Sequence, residues 1–157
     1  LKHWLGVKQI IWLGDGLEGD DTDGHVDDLS RFVAPGVVVT AVEKDPQDTN
    51  HAPLKENLER LKKAKDSRGQ ALRVLEMPMP PRSDGPHHRN PASHANFYIG
   101  NSAVLVPVFN SPTDQPTLDL LRPFFPDRKV VGIDCSALVG GLGAIHCITQ
   151  QMPAIPA

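Results

Sequence analysis

The sequence predicts an α/β fold built from a repeated β-β-α-β unit, belonging to a larger ring of such units. Three observations carry this reading. Short apolar runs of strand length alternate with two stretches of helical periodicity. The same order of elements occurs twice: Phe32 with Phe97, Val38 with Val104 and Asp48 with Asp114 stand about 65 residues apart, an interval suited to one supersecondary unit and too long for a simple solenoid repeat. A β-β-α-β unit cannot bury both faces of its sheet alone, so two such units and part of a third leave edges that further units must cover.

Val7 to Leu13 reads as a strand. Arg31-Phe32-Val33 and Val37 to Val42 read as a hairpin turned at Ala34-Pro35-Gly36, where Pro and Gly supply turn geometry. Leu54, Leu58 and Leu61 recur at i, i+4, i+7, which predicts a helix running to about Asp66 and stopping near Gly69. Leu72 to Met77 returns as a strand. In the second unit, Phe97-Tyr98-Ile99 and Val104 to Phe109 form a hairpin across Gly100-Asn101. Leu118, Leu121 and Phe125 line a second helix that Pro126 ends, and Lys129 to Cys135 closes the unit. Ala144 to Thr149 reads as the start of a third unit. The units accordingly run over residues 14–80 and 92–136, with a partial one over 137–157. Pro78 to Pro91, rich in Pro, Arg, His and Gly, reads as a surface loop, with a lid as the alternative.

Bulk properties exclude several classes. An apolar fraction of 39% with 22% charged residues belongs to a folded chain, not a disordered one. The net charge of −3 gives no basic field for nucleic acid or an anionic membrane. No apolar run reaches membrane-spanning length, and Lys8 and Gln9 break the opening one. Cys135 and Cys147 form neither a C-x-x-C pair nor a metal-ligand spacing, which points to a reducing, cytoplasmic setting.

Three clusters carry candidate chemistry. Asp20 to Asp28 places five carboxylates and His25 within nine residues. A calcium loop fails at both ends: with Gly24 sixth, the first and twelfth positions fall on Gly19 and Ser30, where carboxylates are required. If the segment is extended, His25 and Asp27 project to one side, an imidazole and a carboxylate suited to acid/base work at neutral pH. A charged loop holding its own backbone through Asp side chains fits the composition equally. The second cluster is Gly140-Gly141-Leu142-Gly143-Ala144-Ile145-His146-Cys147, where glycines let backbone approach a ligand and a thiol follows. On a strand His146 would point away from Cys147, which leaves distant His25 as the better partner for the thiol. Cys135 sits in an apolar run and reads as a buried hydrophobe. The third cluster, Ser93 to Asn101, reads unaided as a polar turn feeding a strand.

The wording of these motifs resembles the agmatine deiminases of the bacterial peptidylarginine-deiminase type. The resemblance rests on Asp20 to Asp28 with Arg31-Phe32-Val33, on Asn96-Phe97-Tyr98-Ile99 with Asn101, on Phe125-Pro126-Asp127-Arg128, and on Gly143 to Gln151. His94 and Asn90 depart from it, where Tyr and Leu are usual. The resemblance implies a pentein, a five-bladed α/β propeller, of which this chain holds about half, the C-terminal portion of a single domain. It also implies that Cys147 is the nucleophile, His25 the general acid/base and Asp27 a guanidinium-binding carboxylate, with Asp21, Gly141 and Gly143 contacting substrate. The implied reaction hydrolyses agmatine to N-carbamoylputrescine and ammonia through a covalent thiouronium, a step towards putrescine, with no cofactor and no metal. Its implied partners are the small guanidine substrate, the N-terminal half of the same domain and, as an open option, a second copy in a homodimer. Arginine or peptidyl-arginine deimination is the alternative within the chemistry, and a non-catalytic binding protein of the same fold the alternative outside it. Without the other half, which normally supplies a further carboxylate, the isolated chain is expected to be inactive.

Overall fold

A computed structural model describes residues 1–21, 24–86 and 88–152. Its described elements are α1 (Lys2–Leu5), α2 (Val26–Leu29), β1 (Ser30–Ala34), β2 (Val37–Val42), α3 (His51–Lys63), β3 (Arg73–Pro78), β4 (Tyr98–Ile99), β5 (Ala103–Val108), α4 (Asp114–Leu121) and β6 (Lys129–Asp134). They form two three-stranded sheets of the same order, β1-β2-β3 and β4-β5-β6. In each, the hairpin pair is antiparallel and the third strand returns parallel to the central one after a helix. The β-β-α-β repeat read from the sequence is therefore present twice, and the alternation of period 2 and period 3.6 is what encodes it.

Equivalent positions do equivalent work. Val38 and Val104, in the central strands, are both buried. Asp48 accepts the backbone N–H of Asn50 at 2.8 Å, and Asp114 that of Ser111 at 2.9 Å, each holding the turn that opens its helix. Helix α3 buries Leu54, Leu58 and Leu61, the predicted stripe, and ends at Lys63. The two units share a core. Val39 and Met77 of the first sheet lie in one cluster with Phe97, Val104, Leu121 and Phe125 of the second unit.

Two segments differ from the sequence reading. Val7 to Leu13 makes no strand pairing. It is an irregular strap whose Ile11 and Leu13 pack on the core, and α3 fastens its continuation. Asn57 accepts from Gly14 N at 2.6 Å and donates to Asp15 O at 2.9 Å, while Asn50 Oδ1 accepts from Glu18 N at 2.8 Å. These two buried amides satisfy backbone groups that a neighbouring strand would otherwise have to satisfy. Ala144 to Thr149 is likewise not a strand: residues His146–Ile148 form a turn of 3₁₀ helix, closed by Thr149 N to His146 O at 3.0 Å. The Pro78 to Pro91 segment crosses the surface but is pinned at its end. Buried Arg89 donates to Asp48 at 2.7 Å and to Glu18 at 3.1 Å.

Candidate active site

The loop that leads into α2 is shaped by its own carboxylate. Asp20 Oδ2 accepts the backbone N–H of His25 at 2.7 Å, and Asp20 Oδ1 lies 3.1 Å from the ring Nδ1 of the same histidine. Gly24 has φ +112°, and a Cβ there would stand 3.1 Å from the Gly16 backbone, so the turn requires glycine. His25 then occupies the N-cap of α2. The predicted extended run gives way to a single helical turn, yet His25 and Asp27 still line one cleft.

That cleft, about 450 Å³, is lined by His25, Asp27, Gly141, Gly143, Cys147 and Ile148 among others. Five of the six residues predicted for the site thus meet from two ends of the chain. Asp21 is exposed and lies outside the lining. Of the two cysteines, Cys135 is buried and Cys147 exposed, as their surroundings in the sequence suggested. Gly143 is where absence of a side chain matters: a Cβ there would come within 2.9 Å of Cys147 Cβ and 3.0 Å of Sγ. Gly141 has open space around it.

Three residues of the cluster had no role assigned from sequence. Asn96, fully buried, donates from Nδ2 to Asp28 Oδ1 at 2.8 Å, Asp27 Oδ2 at 3.0 Å and Cys147 Sγ at 3.1 Å. Its Oδ1 accepts from His146 N at 2.9 Å and Cys147 N at 3.4 Å. His146 is the second. Because His146–Ile148 is a 3₁₀ turn and not a strand, His146 and Cys147 can both turn toward Asp27. His146 Nδ1 lies 2.6 Å from Asp27 Oδ2, and Cys147 Sγ 3.7 Å from the same oxygen. A carboxylate only accepts, so Nδ1 carries the proton. Asp28 is the third. Burial and the neighbouring Asp27 and Asp20 carboxylates push its pKa up to about 7, against the Asn96 hydrogen bond.

The electrostatics bear on the thiol directly. Burial raises the Cys147 pKa above the ordinary thiol value, and the Asp28 and Asp27 carboxylates raise it further, opposed by the Asn96 and Ala144 hydrogen bonds. These protein groups together favour the neutral thiol, and a bound cation would favour the thiolate. Among the described residues, Asp20, His25 and Asp28 are the one group with metal-ligand spacing, their ligand atoms lying within 4.8 Å of one another. Two carboxylates around an imidazole are served equally by the imidazolium, so the cluster by itself does not call for a metal.

The segment carrying Asn96 is sewn to α2 and β1. Ser93 Oγ donates to Asp28 O at 2.7 Å. Arg31 Nη1 donates to Ala95 O at 3.2 Å and Phe97 O at 2.7 Å, with its guanidinium 4.7 Å from the Phe97 ring centroid. Arg31 thereby grips the residues on both sides of Asn96.

Residues 1–153 match the profile of the Porphyromonas-type peptidyl-arginine deiminases. A Legionella pneumophila protein provisionally named agmatine deiminase is 41% identical over 154 residues, which cover 98% of this chain and 44% of that protein. A Porphyromonas gingivalis crystal structure, provisionally named arginine deiminase, superimposes with TM-score 0.93 at 42% identity, covering 98% of this chain and 45% of that one. The agmatine deiminase of Enterococcus faecalis superimposes with TM-score 0.90 at 33% identity, covering 98% and 47%. The chain thus spans a little under half the length of these relatives. The match extends over both β-β-α-β units and the Cys147 turn, and on that ground the chain belongs to the Porphyromonas-type peptidyl-arginine deiminase family.

Proposed function

We propose that this chain is the nucleophile-bearing half of an enzyme that hydrolyses the guanidinium of agmatine to N-carbamoylputrescine and ammonia. The observation that carries the reading is the convergence of Cys147, Asp27 and His25 on one cleft from opposite ends of the chain. Asp27 uses Oδ2 for His146 and Asn96, and Oδ1 takes neither of those bonds. A guanidinium presents N–H donors in a planar fork that a carboxylate accepts. Its positive charge beside Sγ lowers the thiol pKa that the cluster otherwise raises, so the nucleophile forms when substrate is present.

The thiolate then attacks the central guanidinium carbon, forming a C–S bond and a tetrahedral adduct. His25 gives a proton to the departing nitrogen as the C–N bond breaks, releasing ammonia and leaving a covalent thiouronium. Water loses a proton to His25 and adds to the same carbon. The C–S bond breaks, and the urea product and the free thiol are restored. Gly141 and Gly143 would contact the remainder of the substrate, and Asp21, outside the cleft lining, would meet only a part of it that extends beyond the cleft. No step needs a cofactor.

The remaining half of a five-bladed ring fits the surface left open here. Phe32 is 58% exposed and lines an open hollow of about 620 Å³ together with Val7, Ile11 and the polar Lys8, Lys65 and Arg68, and Trp12 is 69% exposed. An apolar cavity of about 360 Å³, which Asp27 and His146 help to line, opens nearby. A further carboxylate from that half would complete the guanidinium pocket, and the isolated chain would have negligible turnover. No helix among the described residues is long and apolar enough to cross a membrane; the two free cysteines favour a reducing, cytoplasmic setting.

Ammonia release by the complete protein tests the reading. Agmatine is expected to be turned over in preference to arginine, and Cys147→Ala to abolish turnover. Unchanged activity of that variant would remove the nucleophile assignment, and preference for arginine or a peptidyl-arginine would move the substrate to the second member of the family chemistry.

A further inference from the structure

The polar turn Ser93 to Asn101 contributes a buried side chain to the cleft that the reaction as derived does not use. Asn96 is 0% exposed, and its amide makes contacts on both sides. The orientation of that amide is fixed. Oδ1 accepts from two main-chain donors, His146 N at 2.9 Å and Cys147 N at 3.4 Å, and only an oxygen can do this. Nδ2 must then face the other way, where Cys147 Sγ stands at 3.1 Å, Asp27 Oδ2 at 3.0 Å and Asp28 Oδ1 at 2.8 Å. Two hydrogens serve three acceptors, so the amide is shared between the thiol and the two carboxylates.

We propose that Asn96 is the positioning residue of Cys147: one amide grips the 3₁₀ turn from its backbone side, donates to the sulfur from the other, and so holds the thiol in register with Asp27 while favouring its ionised form. The proposal rests on Cys147 being the reacting group. A sulfur anion accepts a stronger hydrogen bond than a neutral thiol, and the Asn96 donor is aimed at Sγ. The rest of the surroundings oppose or modulate ionisation. Asp27 and Asp28 repel the thiolate from α2; Arg31, on β1, attracts it; His146 precedes it in the chain and His25 shares the cleft. Two neutral groups favour the thiolate, the Ala144 main chain and Asn96, and Asn96 is the side chain that donates to Sγ among the described residues. The clamp of Arg31 on Ala95 O and Phe97 O and the Ser93 bond to Asp28 O keep that donor from swinging away.

The test needs no substrate. The rate of iodoacetamide alkylation at Cys147 is measured against pH on the complete protein, with modified peptides separated by mass so that Cys135 is read independently. Asn96→Ala removes the donor and Asn96→Asp keeps the oxygen for His146 N while replacing the donor with a carboxylate. Each is expected to move the Cys147 titration upward, with alkylation near neutral pH falling about threefold to tenfold for Ala and more than about tenfold for Asp, since each pH unit in the titration is a factor of ten in thiolate. The limiting rate at high pH should stay unchanged, which a general loosening of the turn would not give. Buried Cys135 reports folding, because its alkylation rises if a variant opens the chain.

If both variants open, the unaltered chain still decides. The side-chain amide protons of Asn96, followed by NMR, should shift with pH in step with Cys147 ionisation, and Cys147→Ala should abolish that shift. A Cys147 titration unmoved by folded Asn96 variants, or an Asn96 amide indifferent to the thiol, overturns the proposal. Turnover of agmatine by the complete protein is a separate readout: loss of activity in Cys147→Ala with an unmoved thiol titration would leave the proposed reaction standing and remove Asn96 from it.

Discussion

Replacing Asp28 by Asn should make folding less dependent on pH, by an amount the site itself sets. Asp28 is 2% exposed, its pKa is raised by burial and by the Asp27 and Asp20 carboxylates, and it holds its proton to a pH of about 7. An unfolded chain releases that proton near the ordinary carboxyl value of 3.8. Below about pH 4 both states carry the proton and this group costs the fold nothing. As pH rises, the unfolded chain ionises first while the folded chain retains its proton, so stability falls until the folded group also ionises near 7. Above that the loss is constant. The interval from 3.8 to about 7, at about 1.4 kcal/mol for each pH unit, comes to about 4 kcal/mol. Against a domain stability of about 5–15 kcal/mol that is a large share.

Asn at position 28 never ionises, nearly matches the carboxyl in shape, and keeps an oxygen for the 2.8 Å bond from Asn96. The stability of Asp28→Asn relative to the unaltered chain should therefore rise by about 4 kcal/mol between about pH 4 and pH 8. Urea unfolding followed by circular dichroism at several pH values measures it. Tryptophan fluorescence would not serve, because Trp4 and Trp12 are already 87% and 69% exposed in the fold. Groups common to both chains cancel in the comparison. Two stability profiles that stay parallel over the whole range would show that Asp28 ionises in the fold as freely as in the unfolded chain, and the reasoning would fall.

Gly143→Ala should destabilise the chain by about 1–3 kcal/mol and slow alkylation of Cys147, because the added methyl would sit 2.9 Å from Cys147 Cβ and 3.0 Å from Sγ; unfolding and labelling measured together check it. His94 gives a pH effect of opposite sign to Asp28. Burial holds its pKa below the ordinary imidazole value, so its contribution is full above about pH 6.5 and is lost as pH falls toward the depressed folded value; His94→Gln should lack that acid-side loss in the same urea titration. Asn57→Ala removes the amide that meets Gly14 N at 2.6 Å and Asp15 O at 2.9 Å, at a cost of about 1 kcal/mol for each of these partly solvated bonds; hydrogen exchange at the Gly14 amide should quicken more than exchange in the β4-β5-β6 sheet.

The fold was legible where local chemistry repeats. Leu54, Leu58 and Leu61 announce α3 by their spacing alone, and the paired positions Val38 and Val104 announce that one unit occurs twice. Legibility failed where an apolar run has no neighbour to pair with. Val7 to Leu13 has strand composition, but strand geometry needs a ladder, and among the described residues no strand lies alongside to supply one. The strap that forms instead is held by Asn50 and Asn57, which a helical pattern marks only as polar residues on α3. Their distances in sequence from the groups they satisfy, 32 and 43 residues, lie beyond any local pattern.

The same limit explains the site. His25, Asp27 and Cys147 stood out because each sits in an unusual neighbourhood, a carboxylate-rich loop or a run of glycines. On a strand His146 would face away from Cys147. A 3₁₀ turn has three residues in each revolution and not two, so adjacent side chains stand about 120° apart instead of on opposite faces, and His146 reaches Asp27 Oδ2 at 2.6 Å. Asn96 lies within a family-like motif but carries no signal of a role by residue type, since an amide has no charge and titrates nowhere. Its function is visible only once residues 51 and 69 positions away, Cys147 and Asp27, are brought to its two hydrogens. Acids, bases and nucleophiles declare themselves by residue type. A group that works by orienting them is defined by its bonds, and those exist only in the folded chain.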